Sequence, residues 1–148
     1  MDKGLAIPLT VVAGGFIALQ APINGVLGRT VGSLPAGAVS FAIGTLALVA
    51  ITLLFGGGFG GVRSASGLSL VYFTGGVLGA IYVTTALTTV GSLGAGGVTA
   101  ATIAGQLAAS VAADRFGLFG LDPRPLSVGR VAGIALLALG TFLIVRES

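Results

Sequence analysis

The chain has 148 residues, of which 55 % are hydrophobic and only 7 % charged, and its mean hydropathy is +1.11. A soluble domain carries about 25 % charged residues, so this composition cannot cover a water-facing surface and marks an integral membrane protein embedded in a lipid bilayer. With no Cys and no His, disulfides, thiolate nucleophiles, imidazole bases and Cys/His metal sites are excluded; the net charge of +3 is too small and too dispersed for nucleic-acid binding.

The first charge-free run, 4–28, is about 25 residues long, longer than a signal-peptide core, and lacks an A-x-A cleavage site. It reads as a retained first span over 7–27. Pro22 lies inside it and removes one backbone donor, which predicts a kink and leaves the Ala18 carbonyl without its usual partner. Gln20 and Asn24 flank Pro22 at i, i+4 and so share a face. Two amides beside a freed carbonyl make a polar site at membrane depth, or they cap the backbone of a neighbouring helix.

The polar stretch 29–35, RTVGSLP, predicts a turn, and a second span follows over 36–55. Gly37, Ser40 and Gly44 fall on one face of it, which reads as a packing seam. Ser40 alone says little, since a serine hydroxyl can bond its own helix backbone. The glycine- and serine-rich stretch 56–67 surrounds Arg63. It has no G-x-x-x-x-G-K-[ST] arrangement and no lysine, so it reads as a surface linker and not as a phosphate loop.

After Arg63 no charge occurs until Asp114. A single helix of that length would span a bilayer more than twice at about 1.5 Å per residue, so the chain must turn back, and Gly91-Ser92-Leu93-Gly94 is the turn signal. The third span is then 68–90 and the fourth 95–113. The third holds the GxxxG pair Gly75 and Gly79, together with Tyr82 near its middle, where a hydroxyl needs an internal partner. On the fourth, Thr99, Thr102, Gln106, Ser110 and Asp114 follow at spacings of three, four, four and four, which places them on one stripe. Such a stripe faces protein or water, either as interhelical hydrogen bonding or as a substrate path.

The loop 116–125, FGLFGLDPRP, leads to a fifth span over 126–145. Arg130 near its start can extend its guanidinium to the interface, and Gly129, Gly133 and Gly140 make a second small-residue face. Asp114, at a helix C-terminus where the dipole disfavours negative charge, calls for a partner. Arg115 points about 100° away along the helix, so Arg130 on the same membrane side is the expected one; an unpaired Asp114 would instead be the candidate proton site. Five spans put Lys3, Arg63, Arg115, Arg124 and Arg130 on one side and Arg29 and Arg146 on the other, which orients the N-terminus to the cytoplasm.

Several pieces now stand in order over nearly the whole chain: Gln20-Ala-Pro-Ile-Asn24, Leu27-Gly-Arg29, Ser40-Phe41 with Gly44-Thr45, Gly75-Gly76-Val-Leu-Gly79-Ala-Ile-Tyr82-Val83, Gly105-Gln106 and Asp114-Arg115-Phe116-Gly117. Together they resemble the YdcZ-type family, small single-domain inner-membrane exporters of the drug/metabolite transporter superfamily. The resemblance implies a bacterial inner-membrane, multi-pass protein of about five spans per domain, with members that pair as antiparallel dimers, as oppositely oriented homologous subunits or as two fused domains. An odd span count permits such an inverted pairing. Unlike the small multidrug members of that superfamily, this first span has no carboxylate, so their proton antiport does not carry over.

The resulting expectation is an all-α membrane protein, one transmembrane domain over 1–148, that forms an inverted-repeat-like antiparallel dimer with no cofactor. It would move a small polar or amphipathic solute by alternating access, bound through Gln20, Asn24, Ser40, Tyr82, Thr102, Gln106 and Ser110. The alternative is a structural or accessory membrane subunit. An intramembrane enzyme fits poorly, since the only carboxylate at depth lies at a helix end; a channel and a carrier are alike at this level.

Overall fold

The computed structural model describes residues 2–146, and among these there is no strand. Four α-helices follow in order: α1 Lys3–Val31, α2 Ser33–Phe55, α3 Gly75–Phe116 and α4 Val128–Arg146. Each contains an apolar window long enough to cross a bilayer. The 42 residues of α3 would make about 63 Å of helix, twice the hydrocarbon thickness. It is in fact two helices joined at Gly94, whose φ of 65° and ψ of 170° leave helical geometry. Its arms, 75–93 and 95–116, are each of span length. The protein is an all-α membrane protein, and large apolar side chains such as Phe16, Leu46, Leu78 and Leu136 stand exposed where lipid is the solvent.

Some boundaries differ from the sequence reading. The turn over 29–35 shrinks to Gly32 alone, which has φ +90° and lies between two continuous helices. Pro35 does not prevent this, because it falls in the first turn of α2, where a backbone N–H has no intrahelical acceptor and its absence costs no helix hydrogen bond. The helix expected from residue 68 begins at Gly75, preceded by short 3-10 turns at Gly60–Gly67 and Leu70–Phe73. Residues 91–93 of the expected turn stay helical, and Gly94 alone breaks. Pro22 lies inside α1, which is helical through that position as the span over 7–27 requires. Helix α4 starts after Ser127, whose hydroxyl accepts from the Arg130 N–H at 3.3 Å and so caps the orphan donor of its first turn.

The chain forms two compact units, one over Gln20–Thr88 and the other from the described residues before and after it. In the first, α1, α2 and the first arm of α3 run alternately up and down. Asn24 meets Ser40, and a methyl placed on Gly28 would lie 3.8 Å from Ala36 Cβ. A methyl on Gly37 would lie 3.6 Å from Leu87 and 3.8 Å from Val83, and one on Gly79 would lie 3.4 Å from Phe41. These contacts fix the antiparallel register. Buried Ala21, Ala36, Val83, Ala86 and Leu87 fill the seams. Small residues dominate because lipid gives no hydrophobic drive for helix association, so close approach must supply the attraction.

In the second unit, the second arm of α3 and α4 form an antiparallel hairpin. Asp114 meets Arg130 at one end, and Gly96 approaches Ile144 at the other. Between them the Thr141 hydroxyl donates to the Ala100 carbonyl at 3.0 Å.

Candidate substrate site

Asn24 is the buried polar side chain of the described residues, 7 % exposed. Its Nδ2 donates to Ser40 Oγ at 3.0 Å across the α1–α2 seam. Such a bond between membrane helices is worth about 0.6–2 kcal/mol. It uses only one of the capacities present. The amide keeps its carbonyl oxygen and a second N–H, and the serine keeps its own O–H. No described residue bonds Asn24 Oδ1, and that oxygen is not sealed off within the protein.

The helix register extends the site. Since 37 lies against both 83 and 87 on α3 and 41 against 79, the level of Ser40 corresponds to about residues 80–84, a range that contains half-buried Tyr82. Gln20 stands one turn from Asn24 on the same face yet is exposed. The α1–α2 register places it at the level of Gly44, which offers no side chain to cover it. Every one of these groups is uncharged. Over Gln20–Thr88 there is no Asp or Glu, and the basic residues Arg29 and Arg63 are both exposed.

The other expected residues fall in the second unit. Thr102 is half-buried, whereas Gln106 and Ser110 are exposed, with the Ser110 hydroxyl turned back to the Leu107 carbonyl at 3.0 Å. Asp114 and Arg130 are brought together: Nη2 lies 3.2 Å from Oδ2, with the two side chains 31 % and 29 % exposed. The Arg124 N–H also donates to the Asp114 backbone carbonyl at 2.8 Å, tying the 117–125 loop to the same corner. Arg130 Nη1 is buried there without a partner among the described residues.

The glycines expected as seams divide. Gly79 is a contact within the chain, against Phe41, while nothing lies within 4 Å of a methyl placed on Gly75 or Gly133, and Gly129 approaches only Ser127. Sequence reasoning passed over Thr141, although a lone hydroxyl in a helix as apolar as α4 was a signal to look for an acceptor.

With this geometry in view, comparison with known proteins yields one match. The model of the family described as "Putative inner membrane exporter, YdcZ" matches residues 5–143, nearly the whole chain. No curated protein and no solved structure matches it.

Proposed function

The chain belongs to the family described as "Putative inner membrane exporter, YdcZ", and on that premise we propose that it is a transporter subunit moving a small polar or amphipathic solute by alternating access. The observation that carries this reading is the Asn24–Ser40 pair: a buried amide with unspent hydrogen-bonding capacity inside a bundle that needs only one bond from it. If the amide served packing alone, its remaining polar atoms would be a cost in a membrane, since an unmet amide transfers unfavourably by about 2–7 kcal/mol. Gln20, Asn24, Ser40 and Tyr82 supply hydrogen bonds in place of the solute's hydration shell. The stripe Thr102, Gln106 and Ser110 is a second solute-contacting face.

The functional form in this proposal is one transmembrane domain of five spans, paired with a second copy of opposite orientation. Gly133 on α4 and Gly75 on α3 give each protomer faces where another helix can approach closely. The native chain has no Cys, so single cysteines placed near residues 3 and 146 can be labelled from either side of the membrane. Labelling of each site from both sides supports opposite orientations, and labelling of each from one side only overturns the antiparallel pairing. The transport reading itself is tested by flux in reconstituted vesicles. If no solute moves faster than in protein-free vesicles, the chain is a structural or accessory subunit.

A further inference from the structure

We infer that the solute bound at Asn24 and Ser40 is uncharged, a hydroxyl- or amide-bearing molecule that both accepts and donates hydrogen bonds, and is neither a cation nor an anion. This rests on the transporter reading and narrows it to a substrate class.

The first ground is what the site offers. Asn24 Oδ1 accepts, while the second amide N–H and the Ser40 O–H donate, so one acceptor and two donors remain unused on the two residues that join α1 to α2. Reversing the amide exchanges which atom faces Ser40 but leaves the same mixture of donor and acceptor. A hydroxyl or a neutral amide satisfies both kinds at once. A carboxylate can only accept and an ammonium can only donate, so each would leave part of the site unmet.

The second ground is what the unit lacks. A cation leaving water for this site would meet no counter-charge, because Gln20–Thr88 has neither Asp nor Glu. Isolated charges are strongly penalised in a low-dielectric setting, and one amide oxygen does not offset that. An anion fares little better. Arg29, in the last turn of α1, is five residues from Asn24 and about 140° around the helix from it, and its side chain is exposed; Arg63 lies in the connecting 3-10 segment.

The third ground concerns the remaining carboxylates. Among the described residues, Asp2 and Asp122 lie outside the α-helices, so Asp114 is the acid carried by a membrane helix. Its carboxylate is already engaged by Arg130 at 3.2 Å. Among the described residues, no helix therefore presents an uncommitted negative charge to a cationic solute.

The experiment loads proteoliposomes of the full chain with a defined mixture of small, membrane-impermeant solutes in neutral, cationic and anionic versions. Xylitol, 1-amino-1-deoxyxylitol and xylonate form one matched set, and mass spectrometry follows release. The expected result is that neutral members leave faster than from protein-free vesicles and the charged members do not. Asn24→Leu and Ser40→Ala each slow that release by roughly tenfold, the loss of about one hydrogen bond. Ser40→Ala removes a single oxygen and keeps the test valid should the larger change fail to fold. Preferential release of the cationic or anionic members overturns the charge class and leaves the transporter reading standing. Neutral release that both variants leave unchanged overturns the site. Release of no solute removes the transporter reading, and this inference with it.

Discussion

Gly94→Ala isolates the conformational break in α3, because nothing but the backbone opposes a side chain there. No heavy atom lies within 4 Å of where the new methyl would sit. The φ of 65° and ψ of 170°, however, belong to a region open essentially to glycine alone, and an L-residue held there costs on the order of 1–3 kcal/mol. The controls are Gly91→Ala and Gly105→Ala, which lie in the two arms and have equally open surroundings. Those positions are helical, where exchanging glycine for alanine stabilises by roughly 0.5–1 kcal/mol. Any effect through the unfolded chain is shared by all three variants, so the comparison rests on a difference in sign. Reversible unfolding in mixed micelles should rank Gly94→Ala below the native chain and both controls at or above it. If Gly94→Ala proves as stable as Gly91→Ala, residue 94 is helical and the two-arm description of α3 is wrong.

Thr141→Val keeps the side-chain shape and removes the bond to the Ala100 carbonyl, so it should destabilise by about 0.6–1.7 kcal/mol in the same unfolding assay. Gly117→Ala should cost more than a simple turn substitution: the residue has φ +61°, and the new methyl would lie 2.9 Å from Pro123 Cγ and 3.1 Å from the Leu121 carbonyl oxygen. The left-handed backbone alone accounts for roughly 1–2 kcal/mol, read as a lowered unfolding midpoint. Asp114→Asn should lower stability by about 1 kcal/mol or less, because the pair is only partly shielded, and should leave the pH profile of solute flux unchanged. A flattened pH profile with intact folding would make Asp114 a proton-coupling residue and remove it from a structural role.

Hydropathy made the apolar helices legible because a membrane imposes a length and forbids charge, and both constraints act residue by residue along the chain. The break within α3 was legible for the same reason: its apolar stretch is too long for one crossing, and a glycine supplies the backbone freedom. The extent of the turns was not. Pro35 looked like a terminator and serves as a first-turn residue, so a turn expected over seven positions closes in one. In the site, a polar residue at depth singled out Asn24, but its partner could not be read locally, because the pairing of residue 24 with residue 40 depends on how the α1–α2 hairpin closes at Gly32. The contrast between Gln20 and Asn24 has the same origin. They share a helix face and a chemistry, yet Ser40 and the small residues near the turn enclose one, while Gly44 leaves the other open. Asp114 and Arg130 were easier: opposite charges near two facing helix ends on one side of a membrane have few alternatives.

The distribution of charge bounds how such a protein could be driven. Moving one elementary charge through 100 mV is worth about 2.3 kcal/mol, so a carrier that exploits the membrane potential needs a charged solute, a bound ion or a titrating group that crosses the field. The unit Gln20–Thr88 contains no acid, and its arginines sit at a helix end and in a connecting segment. Asp114, the acid carried by a membrane helix among the described residues, is tied to Arg130 near the starting end of α4, and the pair is neutral overall. An uncharged solute passing such groups moves no net charge. Release of such a solute then follows its own gradient, and an imposed potassium diffusion potential leaves the rate in the vesicle assay unchanged; acceleration by the potential would show that charge accompanies the solute.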